Sequence, residues 1–173
     1  MSAWKNQSRI FRGKFARYLN QTFPNRKLNL FDTFEGFAET DLKSDVQNNF
    51  FDENFVSSSV QFLKQTQLDL VMSKMKYPEQ IEIHKGFFPD TIPSEEKRFA
   101  LVSLDTDIYP PMLAGLEYFY PRLSNGGYIL LHDYSGTSFS RSIRKAVEDF
   151  EEEFGHISKV PLGDFGGTLI ITK

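Results

Sequence analysis

Along this chain, short apolar runs that end on turn residues alternate with stretches whose apolar positions recur every three or four residues. These are the patterns of buried strands and amphipathic helices. Phe15, Tyr18, Leu19 and Phe23 predict a helix over 13–23, and KLNLFDTF, after Pro24–Asn25, predicts a short strand ending on Asp32. Residues 41–58 are polar and irregular, with room for a short helix. Val60, Leu63, Gln67, Leu70 or Val71, and Lys74–Met75 predict a helix from Ser58 to Lys76, stopped by Tyr77–Pro78. IEIHKGFF (81–88) and ALVSLDTD (100–107) are the next strands. A helix starting at Pro110–Pro111 carries Met112, Leu113, Leu116, Phe119, Tyr120 and Leu123, and Asn125–Gly126–Gly127 is expected to end it. YILLHDY is a strand, Ser140–Phe154 a helix ended by Gly155, and ISKVPL with GTLIITK a closing antiparallel pair joined through Gly163–Gly167. Alternating strands and helices with apolar strands imply a mostly parallel sheet covered on both faces.

Composition narrows the class without changing that picture. The 173 residues make one domain, 1–173, with 40% hydrophobic and 25% charged residues. Eighteen Phe against one Trp predict an aromatic core. A net charge of −3 gives no sign of a nucleic-acid partner. Lys5, Arg9, Arg12, Lys14, Arg17, Arg26 and Lys27 cluster without an acid before residue 28, and read as a solvated helix face. No Cys is present, which excludes thiolate metal sites and fits a cytoplasmic location. No apolar run approaches the roughly 20 residues of a membrane span, and no signal-peptide pattern opens the chain.

The candidate chemistry lies where strands stop on acids. LVSLDTDIY and GGYILLHDY deliver Asp105, Asp107, His132 and Asp133 to strand ends. In open α/β sheets that rim is where ligands bind. The 28 residues from Asp105 to Asp133 are one strand–helix–strand unit, so both ends reach the same rim. Asp107 is either a fourth rim group or the cap of the helix near Pro110, and the cap is preferred.

Read together, RGKFARYLNQTFPNRKLNLFDTFEGF, KMKYPEQIEIHKGFFPDTIP, SLDTDIYPPMLAGLEYFYPRLSNGGYILLHDY and RKAVEDF resemble the macrocin O-methyltransferase family over roughly residues 8–173. That family is a branch of the class I S-adenosylmethionine-dependent methyltransferases. The resemblance implies an α/β, doubly wound, Rossmann-like sheet with an antiparallel C-terminal strand. It implies S-adenosylmethionine as cofactor, with Asp32 and Thr33 near its ribose, Gly86 and Phe87 near its adenine, and Asp105 on the same rim. Asp32 capping the turn into Thr33–Gly36 is the alternative. The resemblance also implies a divalent cation, Mg²⁺ by preference, on Asp105, His132 and Asp133. His132 stands where many members have Asp; imidazole is a softer ligand, and a general-base or supporting role is preferred to direct ligation. A structural strand-end histidine remains open.

The family's loop between first strand and first helix reads approximately E-x-G-V-x-x-G. Here Gln7 stands for the acid, Arg9 for the first glycine, and Gly13 alone matches. The expectation is an N-terminally truncated domain whose first central strand is missing or degenerate, with residues 1–12 an irregular remnant and about six strands in the sheet. The function implied is cation-assisted O-methyl transfer to a hydroxyl of a sugar or glycosylated small molecule, with His132 and Asp133 catalytic. A homo-oligomer is left open. The rivals are a catalytically impaired methyltransferase acting as a binding or subunit module, and a glycosyltransferase using Asp105-Thr106-Asp107 as a DxD metal site. No G-x-G-x-x-G follows a strand, which removes a dinucleotide reductase.

Overall fold

A computed structural model describes residues 13–51 and 67–173. Gly13, in the left-handed region at φ 67, turns the chain into α1 (Lys14–Thr22). The buried face of α1, Ala16 and Leu19, packs with Leu28 and Leu30 of β1 (Leu28–Asp32) and with Val71 and Met75. Every residue of β1 is buried, and it runs parallel to β2 (Ile81–Lys85), with Leu28 opposite Ile81 and Asp32 opposite Lys85. Between them lie α2 (Glu39–Gln47) and the single turn α3 (Leu68–Met72), and a 3₁₀ turn at Pro78–Gln80 leads into β2.

The second ladder has the order β3-β4-β6-β5. β3 (Phe99–Leu104) and β4 (Leu123–Leu131) are parallel, joined by α4 (Tyr109–Arg122). After α5 (Ser140–Phe154), β5 (Ser158–Pro161) and β6 (Leu169–Thr172) form the expected antiparallel pair, and β6 also pairs antiparallel with β4. Strand alternation sends Val102, Leu104, Ile129 and Leu131 to one face. There they meet Met112, Leu116 and Phe119 of α4 and Ile143, Ala146, Val147 and Phe150 of α5. The core is aromatic, as the Phe count predicts. The Phe119 ring lies 5.1 Å from Phe99, 5.9 Å from Phe88 and 6.5 Å from Phe31, centroid to centroid.

The α/β class and the closing hairpin are as expected, but the pairing differs. The six strands among the described residues form two ladders instead of one sheet, and no hydrogen-bonded ladder joins β1 to β3. Among the described residues, side chains make the connection. Phe31 of β1 enters the larger core, and Leu101 of β3 packs on the smaller one. The helix expected to end at Asn125–Gly126 stops earlier, at Arg122, and Asn125–Gly127 lie inside β4. Pro121 sits in the last turn of α4, Leu123 is already extended at φ −63 and ψ 139, and Leu123 pairs with Phe99. In the region expected to be helical from Ser58 to Lys76, the described part holds α3 alone, and Lys74–Met75 lie past its end. The readings of residues 1–12, including a strand over 3–11, and of 58–66 fall outside the described residues.

Candidate active site at the ends of β3 and β4

Because Leu104 and Leu131 are register partners in a parallel pair, the residues that follow them leave the sheet side by side. The His132 N–H donates to the Leu104 carbonyl at 2.9 Å, so the ladder persists one residue beyond the strand. Asp133 then takes φ 60, a left-handed turn that an L-residue with a short polar side chain tolerates. Asp105 and Asp133 are buried, and His132 is half-buried. His132 Nδ1 lies 3.1 Å from Asp133 Oδ2 and 3.6 Å from Asp105 Oδ1. One ligand atom from each of the three residues falls within 4.8 Å of the others. Two carboxylates and one imidazole nitrogen facing a common point fit a divalent cation by donor type and by spacing.

The turn between β5 and β6 closes this rim. The Asp133 N–H donates to the Gly166 carbonyl at 3.1 Å, and the Ser135 N–H to the Gly167 carbonyl at 3.2 Å. A Cβ on Gly166 would lie 2.2 Å from His132 Nε2, so that glycine lets the imidazole lie against the turn. Asp164 accepts the Thr168 N–H at 2.8 Å and its hydroxyl at 2.7 Å. Those bonds hold the Asp164 carboxyl below the ordinary range, and His132 adds to the effect. A cavity of ≈ 360 Å³ opens here, lined by Phe15 and Ser103 together with Asp105, His132, Asp164 and Thr168.

Asp107 is buried at φ 63 and does not cap the following helix, contrary to the reading preferred from sequence. The cap comes from elsewhere. The Tyr109 N–H, first in α4, donates to Asp45 Oδ2 of α2 at 3.0 Å, across 64 residues. Asp107 is instead held through its carbonyl, which accepts from the Ser142 hydroxyl of α5 at 3.3 Å. Burial pushes the Asp45 carboxyl up to about 6, although the Tyr109 N–H and the Ser142 hydroxyl pull the other way. The Tyr109 hydroxyl donates to Asp149 at 2.7 Å, and burial together with that carboxylate raises the phenol to about 12.

The residues expected to hold the methyl donor gather at the ends of β1 and β2. Asp32 Oδ1 accepts the Phe34 N–H at 2.7 Å, and the Thr33 hydroxyl donates to the Gly36 carbonyl at 2.6 Å. Asp32 therefore serves as the turn cap that the sequence allows. The Gly86 N–H donates to the Asp32 carbonyl at 3.1 Å, with Gly86 at φ 140, a conformation that favours glycine. Phe87, 41% exposed, lines a cavity of ≈ 450 Å³ with Thr40, Asp41, Phe88 and Asp90. Gly13 lies at the start of α1, where a Cβ would come 3.2 Å from Val71 Cγ1. Sequence reasoning found the acidic strand ends but missed Asp45 and Gly166. The acid–glycine run Asp164-Phe165-Gly166-Gly167 signals a tight turn, and nothing in it signals contact with a histidine over thirty residues earlier.

The family described as macrocin O-methyltransferase (TylF) matches residues 2–165. A 4'-O-methyltransferase of Streptomyces olivaceus, acting on 8-demethyl-8-(2,3-dimethoxy-alpha-L-rhamnosyl)-tetracenomycin C, is 30% identical over 98% of this chain and 62% of its own length. The mycinamicin III 3''-O-methyltransferase of Micromonospora griseorubida is 27% identical over 72% of this chain and 48% of its own. The chain thus spans less than two thirds of these relatives. Among solved structures, the O-methyltransferase NovP superposes with a TM-score of 0.72 at 17% identity, covering 99% of this chain and 71% of NovP. The calicheamicin methyltransferase CalS11 gives 0.64 at 19% identity, with coverage of 99% and 71%. Both show the fold.

Proposed function

The chain belongs to the macrocin O-methyltransferase family, and from that premise we propose that it methylates a hydroxyl of a sugar or glycosylated small molecule, assisted by a divalent cation. The observation that carries this reading is the convergence of Asp105, His132 and Asp133 at the ends of two paired parallel strands. The tetracenomycin relative acts on a rhamnosyl-bearing molecule, which supports the acceptor class. Family membership also displaces the DxD glycosyltransferase reading of Asp105-Thr106-Asp107.

S-adenosylmethionine, when bound, supplies an electrophilic methyl group that passes from sulfur to the acceptor oxygen, leaving S-adenosylhomocysteine. On the donor side we assign Asp32, Thr33, Gly86 and Phe87, with Gly13 opening the first helix. The Asp32 turn sets the chain direction after β1, Gly86 brings backbone close, and Phe87 offers an apolar face for a purine. On the acceptor side Asp105, Asp133 and His132 Nδ1 would hold the cation, whose charge would lower the pKa of a nearby hydroxyl. His132 Nδ1 faces the carboxylates, and Nε2 lies against the turn at Gly166. That orientation supports ligation through Nδ1, beside the general-base role that the sequence allows. One imidazole with two carboxylates accommodates Mn²⁺ or Fe²⁺ as readily as Mg²⁺. The buried carboxylates orient the imidazole, and the hydroxyl proton passes to solvent water.

Calorimetry with S-adenosylhomocysteine tests the donor half, and manganese titration followed by electron paramagnetic resonance tests the acceptor half. Saturable heat is expected, and Asp105→Asn or Asp133→Asn should weaken Mn²⁺ binding about tenfold or more. No heat at millimolar ligand would sink the enzyme reading. It would favour a binding module instead, the alternative to which Gln7 and Arg9 in the donor loop point.

A further inference from the structure

Beyond Asp133 the rim continues into a separate cavity of ≈ 480 Å³ that the acidic cluster does not use. Asn48 and Phe50, just after α2, form one wall, and Gly136 and Thr137, in the turn after β4, form its floor. The Thr137 hydroxyl donates to the Asp133 carbonyl at 3.4 Å, so this floor is contiguous with the rim. The opposite wall is the first two turns of α5, which present Arg141, Arg144 and Lys145. Lys145 is paired with Asp149, and among the described residues Glu148 is the one carboxylate on the lining.

The two arginines differ from that lysine. Arg141 Nη1 donates to the Asn49 carbonyl at 2.8 Å, and Arg144 Nε donates to the Tyr134 carbonyl at 2.9 Å. Both acceptors are neutral, and among the described residues neither guanidinium forms an ion pair. A guanidinium tethered at one nitrogen is oriented without being neutralised, and its remaining N–H groups form the planar fork that matches phosphate oxygens. Two such forks on one wall of a cavity, in a chain whose net charge is −3, concentrate positive potential where an anion can use it.

We propose that this cavity is the anion subsite of the acceptor, holding the phosphate or diphosphate of a nucleotide-linked sugar whose hydroxyl reaches the Asp105–His132–Asp133 rim. A neutral glycoside would leave both forks facing water. The assignment to the acceptor rests on the methyltransferase reading, and the existence of the anion site does not.

The test is calorimetric, on the full chain, with inorganic phosphate, pyrophosphate, thymidine diphosphate and thymidine as probes, each with and without saturating S-adenosylhomocysteine. Pyrophosphate and thymidine diphosphate should bind and compete with each other, phosphate should bind more weakly, and thymidine should give no heat. The R141Q/R144Q double variant changes two exposed side chains. It should weaken both diphosphates about tenfold or more while its circular dichroism and its affinity for S-adenosylhomocysteine stay as in the parent chain. A nucleotide-sugar acceptor predicts thymidine diphosphate tighter than pyrophosphate; equal affinity would overturn that part and leave a site for free phosphate. Diphosphate binding that is absent, unchanged in R141Q/R144Q, or displaced by S-adenosylhomocysteine would overturn the proposal. If the diphosphates bind through the arginines but S-adenosylhomocysteine does not bind, the acceptor assignment falls with the methyltransferase reading.

Discussion

Gly166 and Asp45 set the geometry of the rim from outside it. Gly166 has no left-handed φ, so alanine there is opposed by contact alone, with its Cβ 2.2 Å from His132 Nε2. Gly166→Ala should tip the imidazole away from Asp105 and Asp133 and lower Mn²⁺ affinity about tenfold, the usual loss when a group that orients a ligand is disturbed; an unchanged affinity would show that His132 is not a ligand. Asp45 makes a separate prediction in pH. Its folded-state carboxyl is raised from 3.8 to about 6, with burial the largest cause and Asp41 contributing in the same direction. A raised acid binds its proton more tightly when folded, so its contribution is fully present below pH 4 and is lost as pH rises through 6. At 1.36 kcal/mol per unit that loss is on the order of 3 kcal/mol. In urea denaturation, Asp45→Asn should gain stability relative to the parent chain between pH 4 and pH 7; a parallel pair of curves would refute the shift. Neither residue was legible in the sequence as part of the site. Each acts through a neighbour more than thirty positions away, whereas Asp105 and Asp133 were legible because an apolar run points straight at them.

At the scale of elements, periodicity located most pieces and misjudged one junction. The amphipathic stretches 13–23 and 140–154 became α1 and α5 because their apolar spacing leaves only one face to bury. The boundary between α4 and β4 was misplaced because glycine pairs usually end helices. Here Gly127 is needed inside the strand: a Cβ would meet the Ser124 and Ala100 carbonyls at 2.8 and 3.2 Å. The β5–β6 turn is similarly constrained. Gly167 has φ 56, and a Cβ would fall 1.7 Å from the Ser135 carbonyl oxygen, a backbone atom that cannot rotate away. Gly167→Ala should therefore cost upwards of about 2 kcal/mol in chemical denaturation, among the larger effects of a single substitution. A cost below about 0.5 kcal/mol would mean that the turn can part from residues 133–135.

For the whole molecule, the fold class and the closing hairpin were legible, and the relation of β1 to β3 was not. Alternating apolar runs identify an α/β protein, but the lack of a ladder between β1 and β3 among the described residues depends on which edges meet, and no local pattern encodes that. Two ladders held by side chains make Phe119 central, since its ring touches Phe31 from one ladder and Phe99 from the other. Phe119→Ala should cost about 3–5 kcal/mol, the usual range for a buried phenylalanine. Amide hydrogen exchange should report loss of protection in β1 and β3 together. Faster exchange in β3 alone would mean that the ladders open independently.

The place of β6 has a consequence for synthesis. It pairs with β4 on one side and β5 on the other, yet it follows both in the chain. Before β6 has left the ribosome, β4 has one edge bare and β5 has no partner. The backbone groups of Tyr128 to Leu131 then have only water or another molecule to bond. Until residues 169–172 emerge, each nascent chain exposes a free β edge. Crowded polysomes are thus where this protein is most exposed to mispairing with its own copies.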